Sequence, residues 1–193
     1  MKSNVKLTLI IILCILFLLL PSLLRSYDAR IGEQSYFYER IINLIKENNG
    51  IPDNDNLSYG GREFTYETDP VYILLFLNKF FELKLLLNIL PILFSLITIL
   101  LFYLLLRKLE PESNIIYSSL LLFIISPLFF FVFSSYSNFT IILPLVLFTL
   151  YLFIVKDKFY YLALIFLFIL GFFSYKAIIA VLLFMLIYFI KQK

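Results

Sequence analysis

Histidine and tryptophan are absent from this 193-residue chain, and cysteine occurs once, at Cys14. Those absences exclude histidine general bases, Cys/His nucleophile pairs, zinc clusters and internal disulfides. Charge is scarce as well. Charged residues make up 15% of the chain, against about 25% in an ordinary soluble domain. The formal net charge is +3, and the basic residues stand in pairs at the ends of apolar runs. No basic stripe suited to nucleic acid is present, so none is expected as a partner. Any chemistry falls to carboxylates, arginine, lysine, tyrosine, serine and asparagine.

What the chain has in excess is apolar side chains, at 62% with a mean hydropathy of +0.98. A water-soluble fold would have to expose much of that surface, so lipid is the expected solvent. The expected fold class is an all-α, polytopic membrane protein of about six spans in a single membrane domain. Residues 1–24 hold the first span, 25–82 form an external loop, and 83–193 hold five further spans. The first apolar run, Leu7 to Leu24, reads as an uncleaved anchor, because Pro21-Ser22-Leu23-Leu24-Arg25 offers no small-residue cleavage pattern. The others are about Leu83–Leu106, Ile115–Ser134, Phe139–Val155, Phe159–Phe173 and Ala177–Ile190. Pro91, Pro127 and Pro144 fall inside runs, which membrane helices tolerate.

Lys and Arg in the short connections set the expected orientation. With the N-terminus inside, Lys2, Lys6, Arg107, Lys108, Lys156, Lys158, Lys191 and Lys193 are cytoplasmic, and the short outer turns carry only Lys176. Both termini are then cytoplasmic, the loop is external and the host is the plasma membrane. That loop holds most of the acids. Ser35 to Asn48 reads as an amphipathic helix through Phe37, Ile41, Leu44 and Ile45, with Asn49-Gly50 as its stop. Ile51-Pro52-Asp53-Asn54-Asp55 and Tyr59-Gly60-Gly61 are turn chemistry. Asp69-Pro70 opens a second helix whose face of Tyr72, Leu75, Phe76, Lys79 and Phe80 is expected to lie along the bilayer surface. The loop thus reads as two interfacial helices joined by a polar strap.

Acids just outside a membrane, flanked by surface helices, suit a substrate with a lipid tail and a polar head. The stretch Gly32-Glu33-Gln34-Ser35-Tyr36-Phe37-Tyr38-Glu39-Arg40, then Gly50-Ile51-Pro52 and Asp55-Asn56-Leu57-Ser58-Tyr59-Gly60-Gly61-Arg62, resembles the first external loop of GT-C glycosyltransferases. It is most similar to the catalytic subunit of oligosaccharyltransferases. Tyr36-Phe37 with Arg40 matches the family's loop helix, and Leu57-Ser58-Tyr59-Gly60 matches its strap. Ser134-Ser135-Tyr136-Ser137-Asn138 corresponds to the next external turn.

This resemblance implies transfer of a sugar from a polyprenyl-phosphate donor. An external carboxylate, often with a divalent metal, helps orient or deprotonate the acceptor, and basic side chains hold phosphate. The family's first acid falls opposite Gln34, so Glu33 is the catalytic candidate by a one-residue shift and Asp28 is the other. The second external turn offers Ser135, Ser137 and Asn138 where the family has an acidic pair, so no second acid for a metal is in place. Arg40, Arg62 and Lys176 are the candidates for donor phosphate. Plainer roles compete with each: a helix cap for Glu33, a solvated loop acid for Asp28, and ion pairing or snorkelling for Arg40. Two other readings stand beside the transferase. One is a non-catalytic or shortened relative, with a membrane partner supplying missing spans or a domain. The other is a small transporter component, against which stands the lack of ionisable residues at span centres.

Overall fold

A computed structural model describes residues 3–24, 33–48, 50–51, 54–55, 61–63, 69–110, 112–155 and 160–191. Its elements run α1 (Ser3–Leu24), α2 (Glu33–Asn48), β1 (Asn54–Asp55), β2 (Arg62–Glu63), α3 (Asp69–Leu77), α4 (Leu83–Leu109), α5 (Ser113–Ile125), α6 (Pro127–Phe133), α7 (Asn138–Val155), α8 (Tyr160–Phe173) and α9 (Tyr175–Lys191). The architecture is helical, as expected from the apolar runs. Within the loop, one antiparallel pair of two-residue strands sets Asn54 opposite Glu63 and Asp55 opposite Arg62. Asn54 and Asp55, read as turn residues, are therefore part of a short ladder. Gly61, just before β2, sits at φ +64, a left-handed position that glycine adopts without a Cβ clash.

Among the described residues, α4 and α7 are long and apolar enough to cross a bilayer, and α5 with α6 makes a third if the bent pair is one span. Shorter apolar helices cover Val5–Leu20, Tyr161–Phe173 and Tyr175–Ile190. Pro91 and Pro144 lie inside continuous helices. Pro127 behaves differently. The run from Ile115 to Ser134, expected as one span, is broken there with a bend of 60°. Ser126 explains the break. Its hydroxyl accepts from the Phe129 N–H at 3.2 Å, so it caps a new helix with proline in the first turn.

α4 and α7 make the most extensive helix pair, and α8 and α9 pack on the far side of α7. The outward faces are apolar: Leu9, Ile12, Leu16 and Leu20 on α1 and Leu183, Leu186, Ile187 and Ile190 on α9 are all exposed. Such belts need an apolar surrounding. Polar side chains between the helices satisfy themselves locally. Ser95 donates to the Ile92 carbonyl at 2.7 Å, Thr98 to Phe94 at 2.7 Å and Thr149 to Leu145 at 2.8 Å.

The two ends of α4 define the two ends of the bundle. Its first turns, through Leu86 and Leu87, join a buried cluster with α2, α3 and Tyr136. Its last turns carry Tyr103 and Arg107. Tyr103 stacks on Tyr117 of α5 at 6.3 Å between ring centroids, and Lys6 of α1 lies over the Tyr117 ring at 5.3 Å. Lys6 and Arg107 therefore share one end, and the loop helices occupy the other.

Candidate functional site

The loop-bearing end is organised by contacts that no local pattern announces. On α2, Tyr38, Ile41, Ile42 and Ile45 are buried. They pack on Val71 and Leu74 of α3, on the start of α4 and on Tyr136. The apolar face of α2 is thus used inside the protein, with Phe37 and Leu44 at the margin of the cluster. Residues three and four apart lie on one helix face, so Tyr38, Ile41, Ile42 and Ile45 form a single stripe. On α3, Tyr72 and Phe76 are exposed, as is Phe80 just past its end, while Leu75 packs against the cluster. Lys46 near the end of α2 donates to the Asn78 side chain just past α3, joining the two helices at their C-terminal ends.

Tyr136 is the pivot. It lies between α6 and α7 and is fully buried. Its hydroxyl donates to the Pro70 carbonyl at 3.1 Å, across 66 residues of sequence, and its ring meets Tyr38 edge-on at 5.4 Å. Burial pushes the Tyr136 phenol well above its usual pKa range, and neighbouring Tyr38 adds to the rise. Pro70 stands in the first turn of α3, where its missing N–H costs nothing.

The rest of the Ser134–Asn138 turn is equally committed. The Thr140 hydroxyl donates toward the Val132 carbonyl at 2.9 Å and lies 3.2 Å from that of Ser135, while Ser137 and Thr140 share a hydrogen bond at 3.1 Å. The Asn138 amide donates to Phe173 O at 3.2 Å, linking the start of α7 to the α8–α9 turn. A divalent cation prefers carboxylate and carbonyl oxygens left open to it. The Ser137 and Thr140 hydroxyls are engaged with each other and with backbone, and among the described residues no three acidic or cysteine side chains gather.

Beside this turn lies an open cavity of about 610 Å³ at the starts of α7 and α9. Phe139, Phe172 and Tyr175 wall it, and Lys176 lines it with its ammonium 5.8 Å from the Tyr175 ring centroid. Ser174 accepts from the Ala177 N–H at 3.3 Å, capping α9. A lysine beside two helix N-termini favours negative charge, and the aromatic walls favour an apolar chain.

The sequence candidates fall into distinct positions. Lys176 lines the cavity. Arg40 is half-buried on α2 with its guanidinium 6.0 Å from the Phe37 ring, and it does not line that cavity. Glu33 is the first residue of α2 and Arg62 the first of β2, where it pairs with Asp55; their side chains lie outside the described residues. Asp28 and the Leu57-Ser58-Tyr59-Gly60 strap lie outside them altogether. Tyr136 was not among the sequence candidates. Its only signal was a tyrosine among serines between two apolar runs, where an interfacial aromatic is the ordinary reading.

No family model matches the chain, and neither a curated protein nor a solved structure matches it.

Proposed function

We propose that this chain is an integral plasma-membrane protein of about six spans that binds a polyprenyl-phosphate-linked sugar at its external face. In this reading it transfers the sugar as a GT-C-like glycosyltransferase, or as the N-terminal portion of one. The supporting observation is the docking of α2 and α3 over one end of the bundle by Tyr136, with the Lys176 cavity beside the same turn. A rigidly seated loop can hold a head group at a fixed place, which a loose tether cannot. An apolar-walled cleft with a lysine at its rim suits a lipid phosphate.

The chemistry assigned to the site is substitution at the sugar's anomeric carbon. The acceptor's nucleophilic atom bonds to that carbon, the bond to the donor phosphate oxygen breaks, and polyprenyl phosphate leaves with the electron pair. Glu33 or Asp28 takes the acceptor proton. Arg40, Arg62 and Lys176 are assigned to the phosphate, as charge-assisted donors to its oxygens.

The test is donor turnover by the purified full chain with defined polyprenyl-phosphate sugars, following release of polyprenyl phosphate. Lys176→Ala is expected to weaken donor binding about tenfold, the scale of one lost charge-assisted hydrogen bond. Lys176→Arg should retain most of it. A second reading, a non-catalytic relative that binds donor as a membrane subunit, is favoured by the absence of any carboxylate in the Ser134–Asn138 turn. Donor binding without turnover would select it. Neither binding nor turnover would discard both.

A further inference from the structure

We infer that the groove between α1 and α5, at the end opposite the loop helices, is a binding site for one anionic phospholipid of the surrounding leaflet. The groove encloses about 580 Å³. Its polar end is made by Lys6, Asn114 and Ser118, and Leu9, Leu13 and Leu121 line the rest. That division matches an amphiphile: a phosphate at the lysine, an acyl chain along the leucines. A free phosphate has no use for the apolar length, and a zwitterionic lipid brings its own cation beside its phosphate, so the lysine favours a head group of net negative charge.

The ammonium of Lys6 is already placed. It donates to Asn114 Oδ1 at 3.3 Å and lies over the Tyr117 ring at 5.3 Å. An ammonium has three donors, so this placement orients the group while leaving capacity for a phosphate oxygen. Tyr117 stacks on Tyr103, and Arg107 lies over the Tyr103 ring at 5.7 Å, so a row of two rings joins two cations from α1 and α4. Asn114 stands in the first turn of α5, where the helix dipole also favours negative charge. The acids nearby in sequence are Glu110 and Glu112. The Glu110 carboxylate accepts from the Glu112 backbone N–H at 3.3 Å, within their own turn. Basic pockets between membrane helices are an established mode of anionic head-group recognition.

This inference rests on the bilayer placement proposed above and on no transferase activity. It can be read optically because the chain has no tryptophan of its own. Leu121→Trp puts a single indole in the groove, and Phe168→Trp puts one on the exposed face of α8 as a reference. The full-length variants are reconstituted in phosphatidylcholine vesicles containing brominated phosphatidylglycerol or, separately, brominated phosphatidylcholine. For the groove indole, the anionic lipid is expected to quench with an apparent affinity about fivefold higher, the factor one cation near an anionic surface supplies. The α8 indole should show no preference. Adding Lys6→Gln to the groove variant should abolish the preference and Lys6→Arg should keep it, while millimolar inorganic phosphate should not relieve it. Equal quenching of the groove indole by both lipids, or a preference that survives Lys6→Gln, overturns the site. Relief by inorganic phosphate would show a simple anion site and overturn the lipid assignment. If neither lipid quenches the groove indole, the bilayer placement itself fails.

Discussion

Glycan transfer by the purified chain is expected to fall by a factor of about 100 to 10,000 when Glu33→Gln and Asp28→Asn are combined, the range a positioned acid–base group contributes. Amides keep the size and shape of the carboxylates but cannot accept the acceptor's proton at neutral pH. Of the two, Glu33 is the one whose backbone the structure describes. It begins α2, whose next turns are buried against α3 and Tyr136, so its backbone is held with the docked loop. Single substitutions separate the pair: the acid that takes the proton should account for nearly the whole loss and the other for little. Membrane levels and protease resistance of α2 should not change, because the cluster that seats α2 is built from aliphatic side chains and tyrosines. If transfer is unaffected in the double variant, neither acid is catalytic.

Replacing Tyr136 by alanine is expected to release the loop helices from the bundle. The substitution removes a fully buried ring and the hydroxyl that holds the Pro70 carbonyl. Truncation of a buried aromatic costs about 3–5 kcal/mol, a large share of any local docking energy. The region from Tyr38 to Ile45 should then exchange its amide hydrogens faster by about two or more orders of magnitude, while the centres of α4 and α7 stay protected. Tyr136→Phe isolates the hydrogen bond and should cost about 1–3 kcal/mol, because the carbonyl loses its partner in a buried place. The sign of the pH effect follows from the raised phenol pKa. Neutral Tyr136 is favoured by the docked state, so its contribution is intact below about pH 10, the ordinary phenol value, and declines as pH rises above it. Hydrogen exchange or limited proteolysis across that interval should show α2 loosening in the parent chain. Tyr136→Phe lacks the titrating group and should lose that step. Unchanged exchange in Tyr136→Ala would show that the apolar stripe of α2 alone seats the loop.

Local elements were legible because they depend on near neighbours. The α2 helix emerges from the spacing of Phe37, Ile41, Leu44 and Ile45, and it begins two residues earlier than Ser35, at Glu33. Asp69-Pro70 opens α3 as turn chemistry requires. The break at Ser126-Pro127 had its signal too, a serine cap before a proline. In an apolar run, though, the same proline is compatible with a continuous helix, as Pro91 and Pro144 show. Only packing distinguishes the two cases. The strand pairing of Asn54–Asp55 with Arg62–Glu63 was hidden because two residues are too few for an alternating pattern.

Of the candidate site, the sequence identified Lys176 through its isolation in the outer turns, and the structure adds the cavity beside it. It did not reveal which face of α2 is spoken for. The amphipathic pattern states that one face must leave water, and it does not say whether lipid or protein receives it.

Composition and hydrophobic period belong to the chain itself, and they suffice to establish an assembly of apolar helices with its acids gathered in one loop. The seating of that loop on the bundle came from packing, through a tyrosine and a carbonyl 66 residues apart. So did the meeting of Lys6 with Tyr117 across α1 and α5. Such pairings are chosen by which complementary surfaces come together when the helices pack, and that choice leaves no period in the sequence to read.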